Sequence, residues 1–195
     1  MGGTFDPIHI GHLILAEQAV EQLGLDTVLF VTAADPPHKP GQVKTPAEHR
    51  FEMARLALEG NERFECSRLE LDRPGPSYTV ETIRQVLGSY PAETSVYLLL
   101  GADEAAQLMT WREPRAIAEL AIVVVANRPS SCVADAVASL PEDVARSVVP
   151  LEMPGVDISS TDIRERVRSG RSIRYLVPES VRYYILRNSI YRGLE

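Results

Sequence analysis

The chain has 195 residues, 45% of them hydrophobic and 24% charged, with a net charge of −7. That length supports one well-buried core and a small addition, no apolar run approaches the roughly 20 residues of a membrane span, and no signal peptide is visible. The acidic balance argues against a dedicated nucleic-acid binder, so an anionic ligand would need positive groups gathered locally.

The first element is a loop, Met1 to His12, that holds Gly2, Gly3, Pro7, His9, Gly11 and His12. Behind it Leu13, Ala16, Val20 and Leu23 recur at helical spacing with Glu17, Gln18, Glu21 and Gln22 opposite, which predicts an amphipathic helix over 13–23 closed by Gly24. The loop therefore leads into a helix N-terminus, where unpaired N–H groups and the dipole favour an anion. Glycines remove the Cβ atoms that would keep a phosphate off the backbone, and two histidines add donors. This pattern predicts a triphosphate cradle. Either histidine taken singly would pack or cap more often than bind.

Val28 to Thr32 reads as a buried parallel strand. Pro36 to Gly41 cannot be regular structure and places His38 and Lys39 just past a strand's C-terminal end, the edge at which open α/β sheets take ligands. Thr45, Pro46 and Glu48 read as a capping box for a helix over 46–59. Phe64 to Leu71 is a candidate strand, and Asp72 to Tyr78 a loop that delivers Tyr78 and Thr79 to a helix running to Leu87. The apolar strand Ser95–Leu100 enters Gly101-Ala102-Asp103, a carboxylate placed to accept from ribose hydroxyls or to cap a helix. Trp111, Arg112 and Pro114 mark a helix junction and a pocket wall, and Ile117–Leu120 a short helix. A further buried strand, Ala121–Ala126, leads to Arg128. Weak helical pattern over 130–147 precedes a last strand over 148–153. Ser159, Ser160 and Thr161 then open a helix with Asp162 at the box position and Arg164 and Arg168 on one face, and 181–186 is amphipathic. Cys66 and Cys132 lack metal-ligand spacing, as for reduced thiols in a cytoplasmic protein.

Strands alternating with helices predict a Rossmann-like α/β fold: an open, mostly parallel sheet with helices on both faces, one domain over 1–195, with 158–195 as a small helical appendage. The string Gly-Gly-Thr-Phe-Asp-Pro-Ile-His-Ile-Gly-His at 2–12 resembles the signature of the nucleotidyltransferase superfamily that carries a His-x-Gly-His element, most of all the bacterial nicotinate mononucleotide adenylyltransferases. Ile-Ser-Ser-Thr-x-x-Arg at 158–164 resembles that family's second signature, in the family's order. A first strand precedes the signature in that family, and only Met1 does here, so either the true start lies upstream or the strand is very short.

The resemblance implies transfer of the adenylyl group of ATP to nicotinate mononucleotide, without a covalent enzyme intermediate. It implies catalytic roles for His9, His12, Lys39 and Arg164, and ATP contacts from Gly2, Gly3, Thr4, Phe5, His12, Gly101, Asp103, Ser160, Thr161 and Arg164. His38, Lys39, Tyr78, Thr79, Trp111, Arg112 and Arg128 would face the nicotinate nucleotide. Mg²⁺ would arrive with ATP and not in a protein cage; no nucleic-acid or membrane partner is implied, and a homo-oligomer is left open. Phosphopantetheine adenylyltransferase is the second reading, a cytidylyltransferase the third, an aminoacyl-tRNA synthetase fragment a poor fit, and a nucleotide-binding regulatory module the non-enzyme reading.

Overall fold

Each strand in the computed structural model, which describes residues 1–35, 45–127 and 133–192, runs parallel to its hydrogen-bonded neighbours. One sheet has the order β1 (Gly2–Gly3), β2 (Val28–Thr32), β3 (Phe64–Ser67), and the other β4 (Tyr97–Gly101), β5 (Ile122–Ala126), β6 (Val148–Leu151). Parallel neighbours need crossovers, and helices supply them. The helices among the described residues are α1 (Ile10–Leu23), α2 (Ala47–Leu58), α3 (Thr79–Ser89), α4 (Ala102–Ala106), α5 (Pro114–Leu120), α6 (Val133–Ala138), α7 (Glu142–Ala145), α8 (Ser160–Arg168) and α9 (Glu179–Arg187), of which α1, α2 and α4 to α7 lie in crossovers between paired strands.

The second sheet is covered on both faces, which is why β4 and β5 read as unbroken apolar runs. Leu99 and Val124 point into one core with α1, α2, α8 and α9, while Leu98, Leu100, Val123 and Val125 point into the other with α3 to α7. The strands form two three-stranded sheets, and β1 pairs to β2 as Gly2 with Val31 and Gly3 with Thr32. A cavity of about 600 Å³ lies between β2 and β4, lined by Met1, Leu29, Val31, Leu98 and Leu99 among others. The Met1 amine donates to Leu29 O at 2.8 Å and is pulled down to about 5 by burial.

Several predicted boundaries move. Gly24 is left-handed (φ 63°), as a helix stop requires, but α1 starts at Ile10 and buries Leu15 and Ala19 besides Ala16 and Val20. The capping box before α2 does not form: Pro46 is the N-cap, no side chain caps the helix, and the Glu48 carboxylate turns away to pair with Arg68 at 2.8 Å. β3 stops at Ser67, α3 runs through Gly88, and Pro114 opens α5 where a break was expected, since a proline lacks only an N–H that the first helical position does not use. Asp103 sits inside α4, whose N-cap is Gly101. In the C-terminal helical part, Ile163, Val167, Val181 and Ile185 join the same core as α1 and β2.

Candidate active site

The amino-terminal loop turns on Phe5, a non-glycine residue at φ 48° whose ring is buried beside Phe30 and edge-on to His12 at 5.2 Å. With the ring folded under the loop, a Cβ on Gly3 would lie 2.7 Å from it, so Gly3 is required for close approach as well as for access to its backbone. His9 and His12 stack at 3.7 Å between centroids, 28° from parallel. Gly11 makes room for that stack: a Cβ there would stand 3.1 Å from His9 Nδ1.

The His9 amide donates to His12 Nδ1 at 3.1 Å, and the His12 amide to His9 O at 2.9 Å. A ring nitrogen that accepts carries no proton, so the His12 proton resides on Nε2, which is then the donor suited to a phosphate oxygen. His9 is buried and lies behind it.

Across the chain, α8 begins with Ser159 as N-cap, its hydroxyl accepting from the Asp162 amide at 3.1 Å. Its partner half of a capping box is absent, since Asp162 pairs with Arg166. Ser160 Oγ donates to Pro7 O at 2.8 Å, and Arg164 Nη1 to Asp6 O at 2.8 Å while Nη2 reaches Thr161 Oγ1 at 3.3 Å. Two segments over 150 positions apart thus meet and bring a helix start, an imidazole and a guanidinium together, groups of the kind that suit an anion.

A second cluster forms at the start of α3. Arg112 lies over the Tyr78 ring, 4.7 Å from Cζ to centroid, a cation–π geometry. Trp111 is half-buried beside it, packed on the second core. The Tyr78 amide donates to Pro76 O at 3.1 Å, so an anion at this helix would meet the first-turn amides from Thr79 onward and not that of Tyr78. Gly101 and Asp103 mark the C-terminal end of β4, with Gly101 buried and Asp103 exposed. His38, Lys39 and Arg128 lie outside the described residues.

Three groups in contact with this arrangement went unnoticed in the sequence. Asp6 Oδ1 accepts from Tyr191 Oη at 2.7 Å, and burial next to that carboxylate drives the phenol far above its ordinary value. Arg50 is 1% exposed and donates to Thr45 O, Thr4 O, Ala33 O and Ala34 O at 3.1, 2.7, 2.6 and 3.1 Å. Arg50 was findable: it precedes Met53, Ala54 and Leu58 by three, four and eight residues, the buried stripe of α2. Nothing in the local sequence marks Tyr191.

An α/β fold of parallel strands in which a glycine loop following a strand meets a distant helix start is the arrangement of a nucleotide-handling protein. The cytidylyltransferase-like family model matches residues 1–166. A protein of Thermus thermophilus named "Probable nicotinate-nucleotide adenylyltransferase" is 49% identical over 98% of this chain and 97% of its own length, and one of Rubrobacter xylanophilus with the same name is 44% identical over 98% and 90%. In fold, the chain is similar to the nicotinic acid mononucleotide adenylyltransferase of Plasmodium falciparum, solved in complex with NaAD, at a TM-score of 0.79 and 16% identity over 100% of this chain and 97% of that one. The chain belongs to the nicotinate-nucleotide adenylyltransferase family. No helix among the described residues is long and apolar enough to cross a membrane.

Proposed function

We propose that the protein joins ATP and nicotinate mononucleotide to give nicotinate adenine dinucleotide and pyrophosphate, within NAD biosynthesis. The observation that carries this reading is the meeting of the two phosphate-facing segments through Ser160–Pro7 and Arg164–Asp6. The 5′-phosphate of the acceptor attacks the α-phosphorus of ATP in line. Being ionised near neutral pH already, it requires no strong general base, and catalysis is positioning plus stabilisation of charge on the phosphoryl oxygens.

In this reading the backbone of Gly2, Gly3, Thr4 and Phe5 and the Nε2 proton of His12 hold the α-phosphate region, with His9 fixing the His12 ring. The first-turn amides at Ser160 and Thr161 and the Arg164 guanidinium receive the departing pyrophosphate; the Ser160 hydroxyl is engaged with Pro7 and contributes by placing that turn. Gly101 and Asp103 flank the nucleoside. Thr79, Tyr78, Trp111 and Arg112 form the nicotinate end, and Lys39, His38 and Arg128 are assigned to the acceptor side by resemblance. The cradle presents N–H donors and a cation, its carboxylate Asp6 being buried and engaged by Tyr191, a set that suits phosphate oxygens better than a hard metal ion, so we assign Mg²⁺ to the phosphates of ATP, where it would neutralise charge. A cytoplasmic setting belongs to the same reading and agrees with the free thiol of Cys66, which burial pushes up to about 11.

The helix start and Arg112 favour an acceptor whose pyridine carries a carboxylate over one with a neutral amide. Pyrophosphate release with ATP or CTP against nicotinate mononucleotide, nicotinamide mononucleotide and phosphopantetheine is the test. We expect kcat/KM for ATP with the nicotinate acceptor to exceed each other pairing by about tenfold or more, the worth of one charge-assisted contact. Equal values for the two pyridine acceptors defeat the specificity assignment, and a preference for CTP defeats the adenylyl assignment.

A further inference from the structure

Arg50, Asp6 and Tyr191 touch no substrate as placed above, yet all three are tied to the cradle. Among side chains exposed by less than 2%, Arg50 is the bulkiest. Burying a guanidinium costs several kcal/mol unless its donors are met, and here four backbone carbonyls from three segments meet them: Thr4 in the cradle, Ala33 and Ala34 beyond β2, and Thr45 before α2. From the other side, Ser77 Oγ accepts the amides of Ala34 and Asp35 at 3.0 and 3.3 Å. Ser77 immediately precedes Tyr78. The end of β2 is therefore clamped between Arg50, which grips the cradle, and Ser77, near the end of the loop over 72–78 that leads into α3, the acceptor loop of the proposed reaction.

The carboxylate of Asp6 offsets part of the charge of Arg50, and it also receives the Tyr191 hydroxyl from 185 positions away. The family model ends at residue 166, so Tyr191 lies beyond the part of the chain it describes. The backbone carbonyl of the same Asp6 takes Arg164. A single cradle residue is thus held by both the second phosphate segment and the tail.

We propose that Arg50 and Tyr191 are positioning residues for the transfer step: Arg50 fixes the spacing between cradle and acceptor loop, and Tyr191, through Asp6, makes the end of the chain a support of the active site. This rests on the adenylyl-transfer reading for its kinetic readout only. Misplacing a reacting group by about 1 Å costs up to about a hundredfold, whereas a merely structural contact would lower the melting temperature and leave kcat of the folded enzyme unchanged.

The experiment compares wild type, Tyr191→Phe, Asp6→Ala, their double variant and Arg50→Lys at a temperature where circular dichroism shows each folded. Steady-state kinetics and hydrogen exchange of the peptide spanning residues 2–9 are both read. In Tyr191→Phe we expect kcat to fall about tenfold, KM for nicotinate mononucleotide to stay within about twofold, and loop exchange to quicken. Asp6→Ala and the double variant should be equally impaired, because once the accepting carboxylate is gone the loss of the Tyr191 hydroxyl removes nothing further. Arg50→Lys should lose about a hundredfold in kcat, as an ammonium cannot reach carbonyls on three segments; if it does not fold, Tyr191→Phe and the exchange decide. Wild-type kcat with unchanged loop exchange in Tyr191→Phe overturns the proposal, as do additive losses in the double variant. A wild type that releases no pyrophosphate sinks the adenylyl-transfer reading instead, and the exchange comparison still decides whether the tail holds the cradle.

Discussion

At the scale of single residues, His12 combines two tasks that a substitution would separate. Its Nδ1 accepts the His9 amide and so closes the start of α1, while in the proposed mechanism its Nε2 donates to a phosphate oxygen. Replacing the ring by a methyl group removes one preorganised donor to the transferring phosphoryl group, which is worth about a hundred- to a thousandfold in kcat. The same change removes a cap, worth about 1 kcal/mol of stability. His12→Ala is therefore expected to lose turnover far out of proportion to its stability, measured by pyrophosphate release beside urea denaturation. Turnover near wild type in the folded variant would show that no proton on His12 serves the reaction. Asparagine, whose amide can both accept from His9 and donate outward, should recover part of the loss if placement of a donor is what matters.

Moving to elements, the α/β alternation was legible because each strand and helix carried its own period. β5 is a run of Val and Ile between polar ends, α1 ends on a glycine that had to be left-handed, and both phosphate segments precede helices. What stayed hidden was long-range. The sequence offered Thr45 and Glu48 as a cap, but Arg68, twenty residues on, takes the carboxylate; the resemblance made Ser160 an ATP contact, but its hydroxyl donates to a carbonyl 153 residues back. Tyr78 lost its amide to a local turn that proline spacing alone does not reveal. For α9, nothing in an amphipathic pattern says what covers the apolar face. In the fold Val181 and Ile185 have no exposure and pack with α2 and α8 in the core that also backs the cradle. Ile185→Ala is accordingly expected to cost about 2–5 kcal/mol, the range for a fully buried truncation, with a single cooperative urea transition. A loss below about 1 kcal/mol would place α9 outside the cooperative core.

For the molecule as a whole, charge is distributed against its average. Residues 158–192 contain eight arginines and three acidic residues, whereas residues 1–157 contain twelve basic and twenty-three acidic ones. A body at −11 carries a segment at +5, and α8, which bears part of that surplus, starts at the cradle. Two anionic substrates must approach a protein that would repel them if its charge were spread evenly, so the segment acts as a local attractor. Raising the salt from about 20 mM to about 300 mM shortens the screening length from about 20 Å to about 6 Å. We expect kcat/KM for ATP to fall severalfold over that range at constant free Mg²⁺, with kcat nearly unchanged, because steering acts on encounter and not on transfer. Arg168 and Arg171 lie at the far end of α8, exposed and clear of the cradle contacts. Arg168→Glu with Arg171→Glu should lower kcat/KM for ATP at low salt, leave kcat as it is, and flatten the salt dependence. A wild-type kcat/KM that is flat or rises with salt would mean that the acidic body and the basic segment cancel at the distances substrates travel, and that the arginines of the C-terminal segment serve folding alone.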